Sequence, residues 1–192
     1  MSFYHEGSRA LQDRFDSRRI ADRLFETRRH ETFTLADREI IEKASFFFLA
    51  TADASGWPDC SIKAGMPGFV GMVAPNALVF PDYDGNGMFR SLGNMAVNPH
   101  VGLLFLETSG ERRKLRINGI ASVTDADGLL ASLPGAKLAV RVTATDIFPN
   151  CPRYVPTLDV VEPSVYAPRR GHRPPEPAWK SKPDLKDFVP SR

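Results

Sequence analysis

The sequence predicts a mainly β protein: a small antiparallel barrel of about six strands behind two N-terminal helices. Three observations carry this reading. From Ser45 onward the chain breaks into short apolar runs rich in aromatic and β-branched residues, bounded by turn residues at roughly 8–12-residue spacing. Before Ser45 the apolar residues recur at helical spacing instead. The 192 residues, 42% of them hydrophobic, suffice for one domain with a real core.

The elements follow in order. Residues 8 to 29 read as a helix, with Ser8 as N-cap and Leu11, Phe15, Ala21, Leu24 and Phe25 near one face. A second helix follows Thr34, where Thr34 and Asp37 form a capping box ahead of a stripe of Leu35, Ile40, Ile41 and Ala44. Ser45–Ala52 is too aromatic for a surface helix and reads as a buried strand. The turn 53–56 joins it to a strand at Pro58–Lys63. Phe69–Val73 and Ala77–Phe80 bracket a second hairpin at 74–76. Residues 81–87 form a loop by composition, and 88–97 a short helix stopped by Asn98-Pro99. Val101–Leu106, Lys114–Val123 and Leu138–Phe148 are strands, and Asp125–Ser132 a short helix. This organisation divides the chain into a helical segment (1–45), a barrel (46–150) and a C-terminal extension (151–192).

Charge narrows the function. The net charge of +2 gives nucleic acid little to hold, so no nucleic-acid partner is expected. The balance is uneven. Residues 168–192 hold six of the 16 prolines, seven Lys or Arg and three acids. This tail carries +4 and leaves −2 on the body. It has too few apolar residues to fold alone, and is either disordered or an extended strap on another surface. No apolar run is long enough for a transmembrane helix, and the first residues do not resemble a signal peptide, so a cytoplasmic protein without a membrane role is expected. Cys60 and Cys151 cannot make a disulfide scaffold; Cys151 is read as a small buried residue.

Common catalytic motifs are absent: no dinucleotide fingerprint, no P-loop and no nucleophile elbow. The four histidines lack ligand spacing, so no metal site is expected. Asp82 and Asp84 read as a solvated acidic turn. Two segments carry more. Ser61 and Lys63 stand two apart on a strand and share a face, where a hydroxyl and an ammonium could hold a phosphate or a ring carbonyl. The Gly/Asn loop containing Asn86 feeds a helix whose first turn holds Arg90, a cation opposed to the helix dipole, and a bound phosphate would remove that mismatch.

Together these segments resemble the FMN-binding split β-barrel of the pyridoxamine 5'-phosphate oxidase family. The residues that carry the resemblance are FLATAD, GWPDCSIKAGMPGFV, LVFPDYDGNGMFRSLGNMAVNPHVGLLFLE and LRINGIASV, between Phe46 and Ala121 or just beyond. The resemblance implies a homodimer with FMN between the subunits and an oxidoreductase acting on a small organic substrate. It implies FMN contacts from Ser61, Lys63, Asn86, Arg90, Arg116 and Asn118. Ser91 stands where true oxidases place a phosphate-binding lysine. Trp179 is the large aromatic of the tail, a candidate to cap the flavin or the substrate pocket of the partner subunit, or a strap residue in a surface groove. The C-terminal region with which true oxidases bind pyridoxal and its phosphate is not found in this chain, so vitamin B6 oxidation is not expected. The alternative is a protein that binds or carries flavin, haem or another planar ligand without turnover. No catalytic side chain is assigned.

Overall fold

The helical stretch near the start folds as two helices, not one. The computed structural model describes residues 3–107, 111–125, 133–151, 164–184 and 186–189. Helix α1 spans Glu6–Arg14 and α2 spans Arg18–Arg28, and the chain reverses between them at Asp16, which has φ +48°. The N-cap is His5, not Ser8: the His5 ring accepts a 3.4 Å hydrogen bond from the Ser8 N–H. Neither helix buries a residue. The Arg9–Asp22 ion pair (2.6 Å) joins the two helices through polar side chains, and Leu11, Phe15, Ile20 and Leu24 stay exposed.

Helix α3 (Leu35–Lys43) has the expected capping box. Thr34 Oγ1 accepts from the Asp37 N–H at 3.2 Å, and Asp37 Oδ2 accepts from the Thr34 N–H at 2.8 Å. The buried Asp37 carboxyl also meets His30 Nε2 at 2.7 Å. Ile40, Ile41 and Ala44 enter the core, whereas Leu35 is exposed.

Among the described residues seven strands follow: β1 Phe46–Ala52, β2 Pro58–Ala64, β3 Gly71–Ala74, β4 Ala77–Asp82, β5 His100–Leu106, β6 Lys114–Thr124 and β7 Leu138–Asn150. Helix α4 (Arg90–Val97) lies between β4 and β5. β3 starts later than expected because the Phe69 N–H donates to the Met66 carbonyl (2.9 Å), so Phe69 and Val70 enter the core from a turn. The helix expected at 125–132 falls almost wholly outside the described residues.

All pairings are antiparallel, in the order β2-β1-β5-β6-β7-β4-β3. The sheet does not close, because β2 and β3 are its two edges. It nevertheless curls around one core. Phe47 of β1 packs on Phe80 of β4 at 5.0 Å, although three strands separate β1 from β4 in the sheet. Phe69 and Phe105 complete the cluster at 6.0 and 4.9 Å from Phe47. A split antiparallel barrel results, with its seam beside β2. Its curvature is helped by a bulge where Asn118 pairs with Asp146 but Gly119 pairs with Ala144.

The tail is a strap. Residues 164–184 turn at 165–166 and again between Arg169 and His172, which pair across Gly171, then run extended to a short 3₁₀ turn at Ala178–Ser181, and Ala167 is buried. Among the described residues no helix is long and apolar enough to cross a membrane.

Two expected outcomes test this packing. A Cβ on Gly119 would lie 2.5 Å from the Thr143 carbonyl oxygen and 2.9 Å from Val142 Cγ1. Gly119→Ala should therefore destabilise the fold by about 1–3 kcal/mol in urea denaturation. The second concerns Glu107, which accepts from Arg113 Nε at 3.1 Å and from a terminal guanidinium nitrogen at 2.8 Å. The Arg113 guanidinium holds the Glu107 carboxyl below its ordinary value, against the opposing effect of burial. A lowered folded-state value stabilises above the unfolded-state value, about pH 4.3, and that stability fades as pH falls through the folded-state value. Wild type should exceed Glu107→Gln in stability at pH 7, and the gap should narrow with acid.

Candidate functional site

Register decides where the polar residues of β2 point. Phe47 and Leu49 of β1 face the core and are fully buried. Their partners on β2 are Lys63 and Ser61. Directly opposed residues share a face of the sheet, so Lys63 and Ser61 point to the core side of an edge strand, where the core ends. Asp82, at the end of β4, lies on the same face as the buried Leu78 and Phe80. A cleft of about 410 Å³ opens along this seam.

The third wall is α4 and the loop before it. Phe89 precedes the helix with φ +50°, and Gly87 has φ +78°, a conformation that costs glycine little. Asn86 Oδ1 accepts from the Met88 N–H at 3.0 Å and shapes this turn. No side chain caps the first turn of α4. The helix is held by the buried Leu92 and Met95, by Asn94 donating to Thr51 Oγ1 (3.0 Å) and by Asn98 donating to the Asp53 carbonyl (3.2 Å). These contacts bring Ser91 Oγ to 3.1 Å from Ser61 Oγ. Arg90 is largely exposed and lies 3.6 Å from Asp59.

The cleft carries four cationic side chains (Lys63, Arg90, Lys137, Lys180) against three acids (Asp59, Asp82, Asp84). Asp84 meets Lys137 at 2.7 Å and Lys180 at 2.9 Å. Burial raises the Asp82 carboxyl above its ordinary value, opposed by the positive charges of Lys63 and Lys137. Burial likewise raises the Tyr83 hydroxyl. Hydroxyls, cations and uncapped amides on one rim make an anion-binding end, and Phe89, Met88 and Trp179 supply an apolar wall.

Six of the eight expected site residues therefore converge: Ser61, Lys63, Asn86, Arg90, Ser91 and Trp179. Trp179 sits in the cleft of its own chain, held there by the nearly buried Lys180. Arg116 and Asn118 are not in this cleft. On β6 their neighbours Leu115 and Ile117 face the core, so Arg116 and Asn118 face outward. Cys151 is exposed rather than buried, because it lies just past the end of β7. The acidic pair departs from its expected solvated state: Asp82 is half-buried and Asp84 anchors two lysines. Asp59, Lys137 and Lys180 escaped the sequence reading. The alternation that singled out Ser61 and Lys63 also contained Asp59. Nothing local marked Lys137 or Lys180, which reach the cleft only through tertiary contacts with Asp84.

The fold is similar to that of HupZ from Group A Streptococcus (16% identity, TM-score 0.48, covering 61% of this chain and 93% of that one). It is similar to HutZ, a heme storage protein from Vibrio cholerae (18%, 0.43, 56% and 86%). It is also similar to an FAD-binding protein from Mesorhizobium loti (15%, 0.43, 63% and 96%). No curated protein matches the sequence. The sequence model described as pyridoxamine 5'-phosphate oxidase matches residues 33–162, which include α3, all seven strands and α4. On that match, across two thirds of its length, the chain belongs to the pyridoxamine 5'-phosphate oxidase family.

Proposed function

We propose that the seam cleft binds FMN and that the protein is an FMN-dependent oxidoreductase acting on a small organic substrate. The observation that carries this reading is the convergence of Ser61, Lys63, Arg90 and Ser91 beside the uncapped first turn of α4. A phosphate monoester carries close to two negative charges and three acceptor oxygens. Arg90 would grip it with a planar fork, Lys63 would add a point charge, and the two hydroxyls would donate to it. Asn86 would fix the loop on its other side. The cleft volume of about 410 Å³ lies within the usual range for cofactor-sized ligands, and its apolar wall suits a flat ring system. Bound flavin supplies hydride acceptance and donation. The chain's own residues bind, orient and exclude water; Trp179 would cover the ring.

A homodimer belongs to the same proposal. The outer face of the sheet carries Phe46, Phe48, Leu104, Ile62 and Ile120, the last two 59% and 40% exposed. Phe48 pairs directly with Ile62 and Leu104, and an apolar patch of this kind suits a second copy. Asn118 lies on that outer face, from which it would reach the FMN held by the partner subunit. A cytoplasmic setting is also proposed, since the exposed Cys60 and Cys151 form no disulfide and suit a reducing compartment.

Purified protein should be yellow, and mass spectrometry should identify the co-purifying pigment as FMN. Lys63→Ala combined with Arg90→Ala should weaken FMN binding about 100-fold or more by fluorescence titration, since each removes a charged hydrogen-bond donor. A colourless protein that ignores added FMN would refute the reading. Reduction of bound FMN by NADH or NADPH, with reoxidation by an acceptor, is the expected sign of turnover; a flavin that stays oxidised would mark a carrier.

A further inference from the structure

The N-terminal helices bury no residue within themselves, yet α2 helps to form a second cavity, of about 700 Å³, over the outer ends of β6 and β7. One wall is aromatic. The Phe3 ring lies 5.2 Å from Phe25 and 5.3 Å edge-on from Phe148. The other wall is cationic, with Arg28, Arg29 and Arg116, and no acid among the described residues lines the cavity.

The three arginines are not equivalent. Arg29 is already engaged: it meets Asp146 at 2.8 Å and Glu31 at 2.7 Å, and donates to the Thr145 carbonyl at 3.0 Å. Arg28 and Arg116 are exposed and form no ion pair among the described residues. Two guanidiniums without an acidic partner among the described residues therefore face a wall of phenylalanine rings. Guanidinium forks match carboxylates bidentately, and offset or edge-on packing favours flat rings against phenylalanine. The cavity shares no lining residue with the seam cleft. Its helical wall also lies outside the family match at 33–162.

We propose that this second cavity binds an aromatic carboxylate. The ring system lies against Phe25 and Phe148, and the carboxylate meets Arg28 and Arg116. The binding itself does not depend on the cofactor reading.

The test is isothermal titration calorimetry of the full chain with naphthalene-2-carboxylate. Saturable binding is expected. Arg28→Glu should weaken it about tenfold or more, because it replaces an attractive charge with a repulsive one. The neutral naphthalene-2-carboxamide should bind about tenfold more weakly to the unaltered chain, a comparison that needs no variant. Lys63→Ala/Arg90→Ala should leave naphthalene-2-carboxylate affinity unchanged, which separates this cavity from the seam cleft. No binding, equal affinity for carboxamide and carboxylate, an unchanged affinity in a folded Arg28→Glu chain, or a loss in Lys63→Ala/Arg90→Ala would each overturn the proposal.

Discussion

The pairing of Leu49 with Ser61 and of Phe47 with Lys63 governs the rest of the structure. A strand presents alternate residues to opposite faces, so this register commits two polar side chains to the core side of the sheet. A closed barrel would leave them among Phe47, Phe80 and Phe105, where an unpaired ammonium is costly. The barrel instead stays open along β2. Inward-pointing charge on an edge strand also discourages edge-to-edge pairing with other chains. The seam and the cleft thus have one physical origin.

The cleft then needs walls that complement those groups. Helix α4 brings Ser91 against Ser61 because Leu92 and Met95 anchor it in the core and Asn94 ties it to Thr51 on β1. Asp84 attracts Lys137 from the approach to β7 and Lys180 from the tail, so the proline-rich segment returns to the seam. An exposed ion pair contributes little, but Lys180 is nearly buried, and Asp84 serves two partners at once. The expected strap therefore lies on its own chain, with the tail's positive charge next to the acids of the cleft.

The two faces of β6 divide the remaining chemistry. Leu115 and Ile117 build the core, while Arg116 and Asn118 stand on the outer face, Arg116 beside helix α2. The N-terminal helices leave Leu11, Phe15, Ile20 and Leu24 exposed and are joined by the Arg9–Asp22 and Arg18–Asp13 ion pairs. Flat apolar surface and arginines without an acidic partner among the described residues thus meet on one side of the sheet, and the phosphate-type donors meet on the other.

The sequence by itself determined the strands, the capping box at Thr34 and Asp37, and the pairing of Ser61 with Lys63 on one face. Those features depend on local periodicity and on side chains within a few residues of each other. The motifs from Phe46 to Ala121 were specific enough to point to the family before any fold was known. Only the tertiary structure decided that the barrel stays open, that Ser91 meets Ser61 and that Arg90 meets Asp59. The same holds for Lys180 at Asp84 and for Arg116 on the opposite face from Lys63. Each of these depends on contacts between residues 30 to 96 positions apart or on strand register. The break of the first helix at Asp16 also escaped the pattern, because apolar spacing continues through a residue whose backbone turns left-handed. Periodicity records which side chains could share a face; packing decides what that face meets.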